Sequence, residues 1–281
     1  MKYYKIKSYA KINLSLNVTG KNKSLHKIES IINFINLYDV IWIKEITSKK
    51  HIISFYGMFS KTIYKINTIS KLLKILEEKK ILKDKKFQIK VNKKIPNKSG
   101  LGGGSMNAAT ILKFFIKKKI INVNKKEIKK ILELIGSDAI LGLNQISSVL
   151  TSSNKITYFD NLKKLHVLIV KPNFGCSTKE IYSHVKKFNR SRLNNPNKKM
   201  FYFDNLKKTG NDLEKIAYSK YPKLKKIKMY LEESCDPVFV RMTGSGSALV
   251  AYFKSKKRSE SAKKRFNKKY KNYWCIASKT I

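Results

Sequence analysis

The chain has 281 residues, 42% of them hydrophobic, with 62 Lys or Arg against 18 Asp or Glu and a formal net charge of +44. That length leaves room for two domains of about 150 residues each, and the hydrophobic share excludes an intrinsically disordered chain. The longest apolar runs, such as Leu165–Val170 with only His166 interrupting, are strand-sized, which excludes a membrane-spanning helix.

The charge comes from 57 lysines and only 5 arginines. Such a charge points first to nucleic acid, but the lysines run through the whole chain rather than forming a tail or stripe. Arginine, the preferred reader of phosphates and guanine, is nearly absent. Abundant Ile, Asn and Lys with sparse Gly, Ala and Arg read as drift toward A/T-rich codons. The expectation is therefore no specific nucleic-acid partner, only salt-sensitive adhesion to polyanions. Cys176, Cys235 and Cys275 lie far apart, with neither zinc spacing nor a disulfide framework, and read as small core residues. Met1–Ser8 is polar and lacks the apolar run of a signal peptide; a reducing cytoplasm fits.

In chain order, Ile12, Leu14, Leu16 and Val18 alternate as one strand face, with Lys11 and Asn13 opposite. Val40–Ile46 reads as a second strand. Ile69, Leu72, Leu73 and Leu76 carry an amphipathic helix over Thr68–Lys80. Phe87–Val91 alternates as a strand, and a helix follows in which Met106, Ala109, Leu112, Phe115 and Ile116 recur at helical spacing. Ser105 is placed to cap it. Ile128, Ile131, Leu132 and Ile135 mark the next helix, which Gly136 terminates. Val149–Tyr158 reads as one strand returning to the sheet. A second unit begins near Leu165 with the strand Leu165–Val170. The polar loop Asn189–Lys199, helices over Asp212–Ala217 and Lys223–Glu232, the strand Ala248–Phe253, the basic helix Ser259–Lys269 and a closing strand Tyr273–Ala277 complete the chain. The predicted domains are 1–160 and 161–281.

Four of the twelve glycines fall within five positions of the segment Pro96-Asn97-Lys98-Ser99-Gly100-Leu101-Gly102-Gly103-Gly104-Ser105-Met106. A glycine-rich loop between a strand and a helix is either a flexible turn or a ready anion site, where glycine lets the backbone approach the ligand and the first free N–H groups of the helix point at it. The inferred ligand is a nucleotide phosphate. The run lacks the Lys-Ser/Thr ending of a P-loop, and Ser105 stands where the last glycine of a dinucleotide fingerprint belongs. Asp138, after a helix end, is either a catalytic carboxylate or a simple helix N-cap. Lys11 is either a fixed charge beside a reacting group or one surface lysine among many. Thr243-Gly244-Ser245-Gly246 is a glycine-punctuated turn feeding a strand.

Taken in order, Ala10-Lys11-Ile12-Asn13-Leu14, the glycine segment with Asn107-Ala108-Ala109, Gly136-Ser137-Asp138, Asn211-Asp212-Leu213-Glu214 and Thr243–Gly246 resemble the GHMP kinase family, over Tyr9 to Ala277. The resemblance implies an α+β fold of two domains, the first like ribosomal protein S5 domain 2 and the second a ferredoxin-like sheet. It implies ATP-dependent phosphorylation of a small-molecule alcohol, with no membrane partner and a monomeric or homodimeric state. Pro96 to Met106 would wrap the ATP phosphates, and Ser105 would meet the phosphate oxygens that Mg²⁺ bridges. Asp138 would act as general base, with Lys11 keeping it ionised. Asn13, His26, Thr178 and Tyr182 would hold a substrate that ends in cytidine, with His26 hydrogen-bonding the base and Tyr182 supplying one of two flanking rings. The second ring position is Leu25, which implies a raised KM more than a lowered turnover. Lys98 and Ser99 replace small residues, Ile140 stands where proline is common, and Gln145–Ser153 lacks the usual glycines. Another kinase of the family, acting on a substrate such as homoserine or mevalonate, an inactive degraded kinase, or a basic nucleic-acid-binding protein are the alternatives.

Overall fold

The computed structural model describes residues 2–22 and 25–281, Leu25 by its backbone alone. Two long strands open the chain, β1 (Tyr4–Asn22) and its partner β2 (Leu25–Ile46). They are far longer than the alternating pattern alone predicts. From Ala10 to Leu16 every β1 residue is buried, so the polar face of Lys11, Asn13 and Ser15 is enclosed as fully as the apolar one.

The chain forms two compact units, interleaved in sequence because β1 and β2 each contribute to both. The first comprises residues 1–10, 37–97 and 102–145, and the second 11–36, 98–101 and 146–281.

In the first unit, β4 (Lys86–Asn92) pairs antiparallel with the Val40–Ile46 end of β2 and parallel with β3 (Ile52–Tyr56). Three helices cover this sheet. Helix α1 (Thr68–Glu78) opens with a capping box in which Asn67 and Ser70 bond each other's backbone N–H. Helix α3 (Lys125–Ile135) repeats the device with Asn124 and Glu127. Helix α2 (Gly103–Lys117) is the central one, and its Ala108, Ala109, Ile111, Leu112 and Phe115 meet α1, α3 and the sheet residues Phe87 and Ile89 in one core. Against α2 lies the short 3₁₀ turn Ala139–Leu143.

In the second unit, β7 (His166–Lys171), β8 (Phe239–Met242), β9 (Leu249–Phe253) and β10 (Trp274–Lys279) form an antiparallel sheet ordered β10-β7-β9-β8. Helix α7 (Pro222–Cys235) connects into β8, and α8 (Lys256–Lys269) joins β9 to β10. That order and connectivity is the split βαβ arrangement of a ferredoxin-like sheet. Leu224, Ile227 and Leu231 of α7 and Ala262 and Phe266 of α8 pack on Leu168, Val170, Leu249 and Ala251. The shorter helices α4 (Thr178–Ser183), α5 (Phe203–Lys207) and α6 (Glu214–Lys220) lie in the β7–α7 connection. All three cysteines are unpaired. Cys176 and Cys235 are buried as expected, whereas Cys275, on the edge strand β10, is only part-buried and donates to Asn267 Oδ1 at 2.9 Å. Burial pushes the Cys176 thiol up to about 12 and the Cys275 thiol up to about 11.

Besides the lengthened β1 and β2 and the unpredicted β3, β8, α4 and α5, three predicted elements are capped or bounded differently. Ser105 does not cap α2: the helix begins at Gly103 with Gly102 as N-cap, because a left-handed φ of 73° at Gly102 turns the chain into the helix three residues earlier. Val149–Tyr158 is two short strands, β5 (Ser148–Leu150) and β6 (Ile156–Tyr158), since Asn154 takes a left-handed φ of 60° and Thr151 N–H donates to Lys155 O across a turn. The helix predicted from Asp212 starts at Glu214, because the Asp212 carboxylate instead accepts from Val18 N–H at 2.7 Å.

The seat of the 3₁₀ turn is close-fitting. A Cβ added at Gly142 would stand 2.6 Å from Ala109 Cβ and 3.3 Å from the Met106 backbone. Gly142→Ala is expected to lower stability by about 1–3 kcal/mol through overpacking, read as a lower midpoint in urea unfolding.

Candidate active site

The glycine segment passes from one unit to the other and back, so its surroundings fall into two sets. In the first unit, β4 runs out through Lys93, Lys94 and Ile95 toward Pro96. Asp39, with none of its surface exposed, accepts from Lys94 N–H at 2.8 Å, Ile95 N–H at 2.9 Å and Asn107 Nδ2 at 2.9 Å, and is ion-paired with the buried Lys93 ammonium. One carboxylate thus fixes both the approach to the glycine segment and the first turns of α2 behind it. Gly103 and Gly104 are held close: added Cβ atoms would lie 3.0 Å from Ile95 Cγ2 and 3.1 Å from Thr68 Oγ1. The Thr68 hydroxyl donates to Gly104 O at 2.7 Å. Asn97 is tied by its amide to Phe59 O at 2.8 Å and Thr62 Oγ1 at 2.7 Å. The side chains of Pro96 and Met106 are buried, so these two can face a ligand only with backbone.

A helix N-terminus of this kind presents N–H groups and the positive end of a dipole. Ser105 stands in that first turn, half-buried. The Gly136-Ser137-Asp138 turn lies alongside, with a Cβ at Gly136 placed 3.5 Å from Ser105 Oγ. Asp138 occupies the N-cap position of the 3₁₀ turn, yet its side chain makes no capping hydrogen bond. The simple cap is therefore not what Asp138 does.

The second unit gathers Lys11, Asn13, residues 98–101 and the Thr243–Gly246 turn. Lys11 is 2% exposed, against the reading as one surface lysine among many. Its ammonium donates to Asn13 Oδ1 at 2.6 Å, and its backbone N–H to Leu101 O at 3.1 Å. Asn13 donates from its backbone to Thr243 Oγ1 at 3.0 Å and from its amide to Ser30 Oγ at 2.8 Å, which orients its oxygen toward Lys11. The turn approaches the glycine segment backbone to backbone. Ala248 N–H donates to Ser99 O at 3.1 Å, and a Cβ at Gly100 would fall 2.0 Å from Thr243 O. Gly100 and Gly244 both have left-handed φ, 75° and 55°. Lys98 is exposed, whereas Ser99 and Leu101 are enclosed. Asn211 fastens the turn from behind by donating to Met242 O and Gly244 O, each at 2.8 Å, and Glu214 accepts from Met242 N–H at 2.6 Å.

Also in the second unit, the rings of His26 and Tyr182 lie 5.1 Å apart at 38°. Burial first, then the Lys21 charge, holds the His26 imidazole below its usual range, so it is neutral at pH 7. Thr178 and Ser245 share a hydroxyl–hydroxyl hydrogen bond of 2.9 Å. The side chain of Leu25 lies outside the described residues. Among the described residues no cluster of three His, Cys, Asp or Glu could hold a metal ion, and no helix is long and apolar enough to cross a membrane.

The geometry adds residues that sequence reasoning missed. Asp39 gives no local signal, since its partners are 54 to 68 positions away. Lys93 was hidden among many lysines.

A strand-to-helix glycine segment, a second glycine turn laid on it and a ferredoxin-like second sheet define a class, and the comparisons agree. The GHMP kinases N terminal domain family matches residues 67–151, and the GHMP kinases C terminal family matches residues 185–272. The chain belongs to the GHMP kinase family and is an ATP-dependent small-molecule kinase with its α+β architecture. It is 57% identical over 281 residues, all of both chains, to the 4-diphosphocytidyl-2-C-methyl-D-erythritol kinase of Pelagibacter ubique (strain HTCC1062). To the enzyme of that name from Clostridium botulinum (strain Loch Maree / Type A3) it is 32% identical, over 94% of this chain and 96% of the other. A crystal structure of 4-(cytidine 5'-diphospho)-2C-methyl-D-erythritol kinase superposes with a TM-score of 0.78 at 19% identity, over 99% of each chain. L. major mevalonate kinase superposes at 0.71 with 13% identity, over 99% of this chain and 95% of the other. At these identities the two structures speak for the fold alone.

The Asp39 network makes a measurable demand. Asp39→Asn leaves the Lys93 ammonium buried without its counter-charge and is expected to cost about 3–5 kcal/mol of stability. Urea unfolding checks this; a loss under about 1 kcal/mol would mean that neutral hydrogen bonds suffice to hold the segment.

Proposed function

We propose that the chain transfers the γ-phosphoryl group of ATP to the 2-hydroxyl of 4-diphosphocytidyl-2-C-methyl-D-erythritol, a step in isoprenoid precursor synthesis. The observation that carries the reading is the 57% identity, end to end, with a relative of that name.

Phosphoryl transfer asks a protein chiefly for positioning and charge neutralisation. Backbone N–H groups of Pro96 to Met106 and the α2 N-terminus hold the ATP phosphates. The exposed apolar side chains of Met58, Tyr64 and Ile66, in the connection that Asn97 braces, offer ground for the adenine. Asp138 takes the proton of the attacking hydroxyl as its oxygen bonds to the γ-phosphorus and ADP leaves. Lys11, oriented by Asn13, is the enclosed cation available to stabilise charge on the transferred group. His26 and Tyr182 hold the cytosine, and Thr178 with Ser245 adds hydroxyls for the substrate. The Ser105 hydroxyl, in the first turn of α2, would be a protein ligand for Mg²⁺ arriving with ATP, and the ion would supply neutralisation of phosphate charge. Three unpaired cysteines support work in a reducing compartment, the cytoplasm.

A coupled ADP-release assay with Mg-ATP and the cytidyl substrate tests the reading. Asp138→Asn is expected to lower kcat by about 10²–10⁴ with little change in either KM; turnover within tenfold of wild type would remove Asp138 as the base. The pH profile gives a second check. Because His26 is held neutral below its ordinary range, KM for the cytidyl substrate is expected to stay flat from pH 8 down through 7. It rises only in more acidic solution, where the ring gains a proton. A KM that already rises near pH 7.5 would contradict a role for the neutral ring.

A further inference from the structure

The reading above leaves the cytosine with one ring, Tyr182, because the sequence places Leu25 where the second would stand. The structure brings another aromatic side chain to the same histidine. The Phe188 ring lies 6.3 Å from that of His26 at 54°, while 47% of Phe188 is exposed. It also lines an open cavity of about 540 Å³ bordered by Lys27 and Arg190. A half-exposed phenyl beside an imidazole can stack a nucleobase, while the cavity with the two cations is lined by neither His26 nor Tyr182.

The segment that carries Phe188 is anchored by buried Leu193 and by a polar clasp. Asn189 N–H donates to Val18 O at 2.9 Å. Glu29, with none of its surface exposed, accepts from Ser191 Oγ at 2.6 Å, Arg192 N–H at 2.8 Å and Leu193 N–H at 3.1 Å. Its fourth donor is Asn17 Nδ2 at 2.8 Å, from β1. One β2 carboxylate therefore pins the 189–193 segment to the hairpin that bears His26.

We propose that Phe188 is a specificity-determining residue that supplies the second ring for the cytosine, and that Glu29 is its positioning residue. The proposal rests on the cytidyl-substrate reading. Held in this way, the phenyl stands in the substrate's path before binding, so little ordering cost remains to be met when the base arrives.

Steady-state kinetics with the full chain separates the possibilities. Phe188→Ala is expected to raise KM for the cytidyl substrate roughly 5–100-fold, with KM for ATP within about twofold and the loss on KM rather than kcat. Phe188→Trp restores the low KM. Glu29→Gln raises the same KM, and that rise disappears in the Phe188→Ala background, where there is no ring left to position. An unchanged substrate KM in Phe188→Ala overturns the assignment of Phe188 while the cytidyl reading stands. Additive effects in the double variant overturn the role of Glu29. A wild-type chain that folds and hydrolyses no ATP with the cytidyl substrate overturns the reading itself, and the proposal with it. Should Glu29→Gln fail to fold, the Phe188→Ala and Phe188→Trp pair still decides the assignment of the ring.

Discussion

The first unit depends on a carboxylate that never meets water. Asp39 gathers two backbone N–H groups, one amide and one ammonium at the point where β4 leaves the sheet and α2 begins. A glycine-rich segment gains close approach to phosphate at the cost of conformational entropy, so its two ends must be fixed by something else. Asp39 does this for the residues just before the segment and, through Asn107, for the helix just after it. The core beneath is ordinary, with Phe87, Phe115 and Ile111 packing as any sheet and helix would. What distinguishes the site is that its flexible part hangs from one fully buried ionic hub.

Much of this was legible in the sequence, and the reasons for success and failure differ. The glycine segment could be picked out because its signal is local: four glycines within five positions, between a strand and a helix. Gly100 extends that logic, since Thr243 O stands 2.0 Å from where its Cβ would lie, and Gly244 is tight against it, with Gly100 atoms 3.3 Å from its own Cβ position. The face shared by Lys11 and Asn13 followed from period-two alternation. Their burial did not, because alternation marks two faces without saying that both are covered. Ser105 was misplaced as a cap because a left-handed Gly102 can start a helix earlier than any hydroxyl signal indicates. A single cut near residue 160 is what a linear reading offers, whereas strands of 19 and 22 residues contribute to both compact units. Asp39 and Glu29 were invisible because their partners are distant in sequence.

The lysine excess finds few carboxylates to meet. Several of its pairs are exposed helix neighbours, such as Lys74–Glu78 at 3.6 Å and Lys256–Glu260 at 3.6 Å, which contribute little. Other ammonium groups lie over rings, Lys7 over Tyr38 at 4.6 Å and Lys118 over Tyr4 at 4.7 Å. Buried Lys171 instead donates to the carbonyls of Pro172 and Phe174, at 2.7 and 2.9 Å, and burial lowers its pKa. Charge spread over rings, carbonyls and solvent does not build the continuous stripe that tracks a nucleic-acid backbone. The composition is compatible with a small-molecule enzyme because the excess positive charge sits on its surface, apart from a few enclosed ammonium groups with specific acceptors.

With only 18 acidic residues in the chain, the placing of two of them at full burial is informative. Asp39 and Glu29 do the same physical work in different units: each turns the N–H groups of an irregular segment, which would otherwise require water, toward one charged acceptor. Hydrogen bonds to a carboxylate are stronger than those between neutral groups, so a few can order a segment with few buried apolar anchors, Ile95 and Pro96 in the first case and Leu193 in the second. The segment at Asp39 is the one proposed to hold phosphate. By the same reasoning the segment at Glu29 is one whose exact placing matters, and the side chain it presents beside His26 is Phe188. A loop needed only to connect two elements would not require an enclosed charge with four donors, since water would satisfy its backbone equally well.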